Sequence, residues 1–246
     1  MLFPIVNRQS SIALYHLPVA PRKGVFITIE GLDGCGKSTQ LEKLAAVLRR
    51  DGLDALTTRE PGGTPLGDRI RTVLLDSATI GLSPWAEMAL MFASRAQHLH
   101  EVILPALEKG RIVLCDRFTD STEAYQGGGR KLGSEAVLSL HRVLCGDIQP
   151  GLTILMDSDP GASVARARRR NRARVATDAG EGDENRFERE SRAFFERVHN
   201  AYLAIARREA HRFFVVDARR PPEVVHPEIV AAVRERFKLA ARTAKN

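Results

Sequence analysis

The chain has 246 residues, of which 43% are apolar and 27% charged, with a formal net charge of +7. That composition is ordinary for a soluble globular protein, and the length suits one large α/β domain. No apolar run approaches the roughly eighteen residues of a membrane span, and three scattered cysteines (Cys35, Cys115, Cys145) exclude a disulfide framework or a zinc site.

Residues 1–23 contain no Asp or Glu but carry Ser10, Ser11 and prolines. A transit leader is conceivable, yet the stretch lacks an Arg-rich amphipathic pattern and a signal-peptide core. A flexible extension, or a start codon placed too early, is the expectation. A β-branched run at 25–29 then leads into GLDGCGKST, where Gly31, Gly36, Lys37 and Ser38 fit G-x-x-x-x-G-K-[ST]. The helical pattern that follows puts Leu41, Leu44, Ala45 and Leu48 on one face. Strand, glycine loop and helix N-terminus together make a phosphate cradle of inward N–H groups and a positive dipole end. The ATP-binding set is therefore Gly31, Leu32, Asp33, Gly34, Cys35, Gly36, Lys37, Ser38 and Thr39. Lys37 is expected on the β- and γ-phosphates and Ser38 on Mg²⁺. Asp33 cannot favour a phosphate by charge, so a sugar hydroxyl or a metal-bound water suits it better. Cys35, near a helix N-terminus, could carry a somewhat activated thiol, although a small side chain is all that the position needs.

Further short apolar runs at 55–58, 112–115, 153–156 and 213–216 complete five buried strands. Helical patterns fall near 37–50, 65–76, 84–108, 134–145, 160–172, 187–208 and 222–241. The alternation predicts a parallel sheet covered on both faces, with ligands at the strand carboxyl ends. REPGGT (59–64) follows the second strand, and CDRF (115–118) ends the third. Asp116 there suits Mg²⁺ through water, and Arg117 suits an acceptor phosphate by a bidentate fork. Arg59 and Arg95 would join Arg117 around one anionic group, while Tyr125 or Phe92 could stack a base. Arg166, Arg168, Arg169, Arg170, Arg172 and Arg174 crowd into nine positions, as nucleic acid or a polyanionic small substrate would require. The Gly-, Asp- and Glu-rich stretch at 177–184 reads as a mobile excursion between helices.

EGLDGCGKST, REPGGTPLGDRIR, CDRFTDSTEAYQGGGR and the Arg-rich segment before FERESRAFFERV closely resemble the bacterial thymidylate kinase family. The likeness runs from about Gly24 to the C-terminus. It implies a P-loop nucleoside-monophosphate-kinase fold in a single domain, 24–246, with a short lid at about 166–186. It also implies transfer of the ATP γ-phosphoryl group to dTMP with Mg²⁺, in a cytoplasmic homodimer that needs no nucleic acid or membrane. By position, Asp33, Arg59, Arg95, Arg117, Ser121, Tyr125 and Gln126 correspond to dTMP-binding residues, and Ser38 and Asp116 to the Mg²⁺ side. The family's base-stacking Phe falls on Met91, with Phe92 one residue later, so either side chain is a candidate. Family members carry the catalytic arginine in the phosphate loop or in the lid. Here the loop has Gly34 and Cys35 at those places, so the lid is expected to supply it, through Arg168 or Arg172 beside Arg166, with Lys37 and Arg117 completing the catalytic set. A P-loop GTPase should show N-K-x-D, which is missing from the chain. A nucleic-acid ATPase would be stimulated by DNA or RNA.

Overall fold

Five β-branched runs pair in parallel as β1 (Val25–Glu30), β2 (Ala55–Arg59), β3 (Ile112–Asp116), β4 (Leu152–Asp157) and β5 (Phe213–Asp217), in the order β2-β3-β1-β4-β5. This computed structural model describes residues 23–146, 148–177 and 186–239, with backbone alone for 172–177. The expectations for residues 1–22 and 178–185 lie outside the described residues. β1 is central, and the chain leaves it first towards β2 and later, after β3, towards β4. The carboxyl end of β1 is thus the switch point, where ligands of open α/β sheets bind.

Side chains alternate across each strand, and this fills two layers. Ile27 and Ile29 face α1 (Lys37–Arg50) and α9 (Pro222–Phe237), packing with Leu44, Leu48, Ile229 and Val233. Phe26 points the other way, with Met88 and Phe92 of α3 (Pro84–His98), Leu107 of α4 (Leu104–Glu108) and Val137 of α6 (Ser134–Cys145). A third cluster joins Leu155 to Val164 of α7 (Pro160–Thr177) and to Phe194, Phe195, Val198 and Tyr202 of α8 (Arg192–Arg208). The five-stranded parallel sheet with helices on both faces agrees with the sequence reading.

Local chemistry explains the helix boundaries. Thr64 caps α2 (Pro65–Leu75) by accepting from Gly67 N at 2.9 Å, and Ser83 caps α3 by accepting from Ala86 N at 3.2 Å. Each cap is followed by proline at the first helical position, where the missing N–H costs nothing. The single helix expected at 84–108 is in fact three pieces: α3, a wide π-type turn Leu99–Ile103, and α4. Pro105 has no N–H for the carbonyl four residues back, so the regular ladder cannot run through. The expected 187–208 helix likewise splits into a 3₁₀ turn, Phe187–Arg189, and α8, because Ser191 caps α8 afresh. A short α5 (Thr119–Thr122) and a π-turn Glu123–Gly129 occupy a stretch the sequence reading left without structure.

Candidate active site

The loop between β1 and α1 wraps back on itself. Lys37 Nζ donates to the carbonyls of Gly31 at 3.1 Å and Leu32 at 2.9 Å. Gly36, at φ 100°, caps α1 without a side-chain bond, so the N–H groups of the first turn are not taken by a capping side chain. Gly34 is required by packing: a Cβ there would meet the Ser163 carbonyl of α7 at 2.2 Å. Cys35 is buried, in contact with the core beneath the loop. Burial raises its thiol pKa, against the opposing charges of Lys37 and Arg117, so that activation is not found. Positions 34 and 35 therefore leave no room for a phosphate-facing arginine.

Beside the loop opens a cavity. Of the residues predicted to hold the acceptor, Asp33, Met91, Arg95, Arg117, Ser121, Tyr125 and Gln126 all line it. Two do not. Phe92 is fully buried, in the cluster with Phe118 and Met88, with its ring 4.9 Å beneath the Arg95 guanidinium. One residue advances a helix by about 100°, so Met91 and Phe92 cannot share a direction; Met91 takes the pocket and Phe92 the core. Arg59 is 58% exposed, pairs with Asp68 at 3.5 Å, and lines a neighbouring groove with Ser38 and Asp116. The sequence reading missed Glu60, Pro61, Arg71, Leu75, Phe118, Thr122 and Phe187, which complete the cavity wall.

The cavity is cationic at one end. Arg95 is 2% exposed; its Nε donates to Glu60 at 2.7 Å and its Nη2 to Thr122 at 2.9 Å, while Nη1 has no hydrogen-bond partner among the described residues. Glu60 is fixed in turn by His98 Nδ1 at 2.9 Å. Burial alone would raise the Glu60 carboxyl, but Arg95 and His98 hold its pKa below the ordinary value. Glu60, His98 and Cys115 lie close enough to suggest a metal cluster. Arg95, Thr58 at 2.6 Å from His98 Nε2, and the Arg117 carbonyl at 3.0 Å from Cys115 Sγ account for those atoms as a hydrogen-bond network instead. Arg117 sits opposite at φ 73°, donating to Asp33 at 2.7 Å, Ser121 at 2.9 Å, Tyr202 at 3.1 Å and Tyr125 at 3.2 Å. Partial burial opposes charge on Asp33, yet Arg117, Lys37 and Arg170 together push its carboxyl well below the usual range.

Beneath the loop, Glu30 faces the same layer as Phe26 and is fully buried. It accepts from Phe118 N at 2.7 Å, Ser121 Oγ at 2.5 Å and Tyr202 Oη at 2.9 Å. An acidic residue ending an apolar strand is the signal that could have marked it.

Ser38 Oγ donates to Asp116 Oδ2 at 3.1 Å, and Asp116 Oδ1 is buried without a partner among the described residues. A hydroxyl beside an unsatisfied carboxylate oxygen is a donor set that suits Mg²⁺, a hard cation that binds oxygen.

The arginines of α7 diverge. Arg166 Nε donates to the Gly34 carbonyl at 2.8 Å. Arg168, turned by about 200° around the helix, donates instead to the Glu188 carbonyl at 2.8 Å from Nε. The side chain of Arg172 lies outside the described residues.

A thymidylate kinase family model matches residues 29–229. A thymidylate kinase of Desulforapulum autotrophicum is 47% identical over 214 residues, covering 87% of this chain and 92% of its own. One from Trichlorobacter lovleyi is 49% identical over 213 residues, covering 87% and 98%. The crystal structure of thymidylate kinase from Ehrlichia chaffeensis superimposes with a TM-score of 0.66 at 30% identity, covering 85% of this chain and 98% of that one.

Proposed function

The chain belongs to the thymidylate kinase family, and from that membership we propose how its residues divide the phosphorylation of dTMP to dTDP. The cavity beside the phosphate loop takes dTMP, and the loop takes the phosphates of ATP. The observation that carries this reading is the Arg95 guanidinium: a buried cation in the cavity wall whose Nη1 has no protein partner. Glu60 already balances the Arg95 charge, but a buried donor left without an acceptor is costly, and a phosphate oxygen of dTMP supplies one. Arg117 lines the same cavity.

A phosphate monoester has a second pKa near ~6, so the acceptor oxygen is already ionised at neutral pH and needs no strong base. What remains is positioning and neutralisation of charge in a loose transition state. Lys37, released from the Gly31 and Leu32 carbonyls, is in reach of the transferred group's charge. Ser38 and Asp116 would hold Mg²⁺, which when bound neutralises charge on the ATP phosphates. Asp33 orients Arg117 through their 2.7 Å bond and stands near the acceptor's sugar. Arg166 and Arg170 occupy the side of α7 that faces the loop. Arg166 bonds the Gly34 carbonyl, and the charge of Arg170 contributes to depressing Asp33. That supports these two as the arginines that reach the phosphates, with Arg168 tying the lid to its return segment.

A homodimer and a cytoplasmic setting complete the proposal. Apolar side chains exposed on α2 and α3 support the first, and three free cysteines support the second. Among the described residues no helix is long and apolar enough to cross a membrane.

The test is ADP release from Mg-ATP in the presence of dTMP, dUMP, dGMP, dCMP or UMP. Acceleration by dTMP is expected, with dUMP weaker by about 10–200-fold, since one methyl distinguishes them. Failure of dTMP to accelerate ADP release would sink the assignment.

A further inference from the structure

Opposite the cationic end of the cavity, a second charged cluster lies behind its wall. Glu87, in the first turn of α3, is 1% exposed. Its two carboxylate oxygens take four donors from three side chains. Oε1 accepts from Gln126 Nε2 at 2.8 Å and from Arg130 Nε at 3.1 Å. Oε2 accepts from Arg130 Nη2 at 3.0 Å and from Arg186 Nη1 at 2.7 Å. Only Gln126 among these lines the cavity.

A primary amide has a donor end and an acceptor end, and which end faces a ligand depends on what holds the other. An ionised carboxylate can only accept. Turning the Gln126 amide over would set its carbonyl oxygen against a Glu87 oxygen at the same short distance, acceptor against acceptor. One of the two amide N–H groups is thereby committed to Glu87, and the orientation of the amide is set. Among the described residues the Gln126 side chain makes no other hydrogen bond, so its carbonyl oxygen is left for the cavity.

We propose that Glu87 is a specificity-determining positioning residue: by claiming the amide nitrogen of Gln126, it fixes the acceptor end of that amide for the nucleobase. An acceptor in the wall suits a pyrimidine edge that presents a ring N–H, as thymine and uracil do at N3. It opposes a cytosine edge, whose N3 carries a lone pair in the same place. This rests on the reading of the cavity as the dTMP site, and it adds the element that separates thymine from cytosine when ring size and the 5-methyl group are equal. Arg130 supplies two of the four contacts, one to each oxygen, and so holds the carboxylate in place without Arg186; a site built around a fixed hydrogen bond rejects an analogue lacking the partner far better than an apolar pocket does.

The experiment compares kcat/KM for dTMP and for 5-methyl-dCMP, which keeps the methyl group and reverses only the N3–C4 edge. It uses the full chain, Glu87→Gln and Arg186→Gln. The dTMP preference of the unmodified enzyme is expected to narrow by about tenfold or more in E87Q, where the neutral amide no longer dictates which end of Gln126 it meets. R186Q removes a charge from the same carboxylate but spares the Gln126 bond, so it should keep the preference. A folded E87Q with an unchanged ratio overturns the proposal, as does an R186Q that narrows the ratio equally. Should E87Q fail to fold, ¹⁵N spectra of the unmodified enzyme decide, with the Gln126 amide assigned through Gln126→Leu. Its N–H pair should remain slow to exchange and little shifted when dTMP binds; a pair that shifts strongly on binding shows the nitrogen facing the base, against the proposal. The ratio is read only after dTMP has been seen to accelerate ADP release, so loss of the dTMP-site reading and loss of the Glu87 inference give different results.

Discussion

Glu30 is a carboxyl sealed under a phosphate loop, and its neighbours decide its charge. Burial raises its pKa first, the nearby Asp120 raises it further, and Arg117 with the Ser121 and Phe118 bonds pull it back, leaving it at about 7. A carboxyl whose folded-state pKa lies above its unfolded value of 4.5 binds protons more readily in the folded state. The stability it contributes is therefore complete below about pH 4.5 and is lost as pH rises through about 7. Glu30→Gln copies the neutral form, and the rotatable hydroxyls of Ser121 and Tyr202 can accept from its amide. The expected result is that E30Q gains on the unmodified protein as pH rises from ~5 to ~8, by on the order of 1–3 kcal/mol in urea melts. Parallel pH profiles for the two proteins would show that Glu30 does not titrate in this range.

At the scale of elements, α7 decides how the phosphate loop works. Its backbone comes so close to Gly34 that no side chain fits between them, so the loop can carry no arginine at that position. Arg166 and Arg170 lie one turn apart on the loop side, and Arg168 turns away from them to bond the return segment at Glu188. An arginine at the transferred phosphoryl group is worth roughly 10³–10⁵ in rate in related systems. Arg170→Ala is accordingly expected to lower kcat by about 10³ or more with the KM for dTMP little changed. Arg168→Ala, which frees the return segment that carries Phe187, should raise the KM for dTMP and cost kcat less. Steady-state kinetics with both substrates varied separate these outcomes, and the reverse ranking of the two variants would return the catalytic role to Arg168. The sequence reading reached the loop because strand, glycines and helix are contiguous there, while the lid and its arginines were implied by the family resemblance alone. It could not rank the lid arginines, since direction around a helix depends on what the helix packs against, and Ser163 and Ala167 beside Gly34 set that.

The same division between near and far in sequence governs the whole molecule. Strand, loop and helix from Val25 to Arg50 are legible because every residue in the argument neighbours the next. Met91 against Phe92 became decidable only once α3 met the sheet, and the Glu87 cluster draws on α3, the turn after Gly129 and the segment at Arg186. Pairings of that kind leave no local pattern. One further surface belongs to this scale. Leu66 and Val73 of α2, Ile80 after it and Trp85 of α3 are 47%, 47%, 92% and 59% exposed, and α2 packs on α3. Apolar chains gathered on two packed helices are what an interface between copies of one chain requires. The helices beneath this surface also carry Arg71, Leu75, Met91 and Arg95 into the cavity, so pairing would brace the dTMP site from behind. Light scattering is expected to give twice the mass of one chain for the unmodified protein. The double variant Val73→Glu, Trp85→Glu should give the single-chain mass with a raised KM for dTMP and a KM for ATP closer to normal. An unmodified protein that scatters as a single chain at assay concentration would remove the dimer, and a monomeric variant with unaltered dTMP kinetics would leave the dimer without a part in shaping the site.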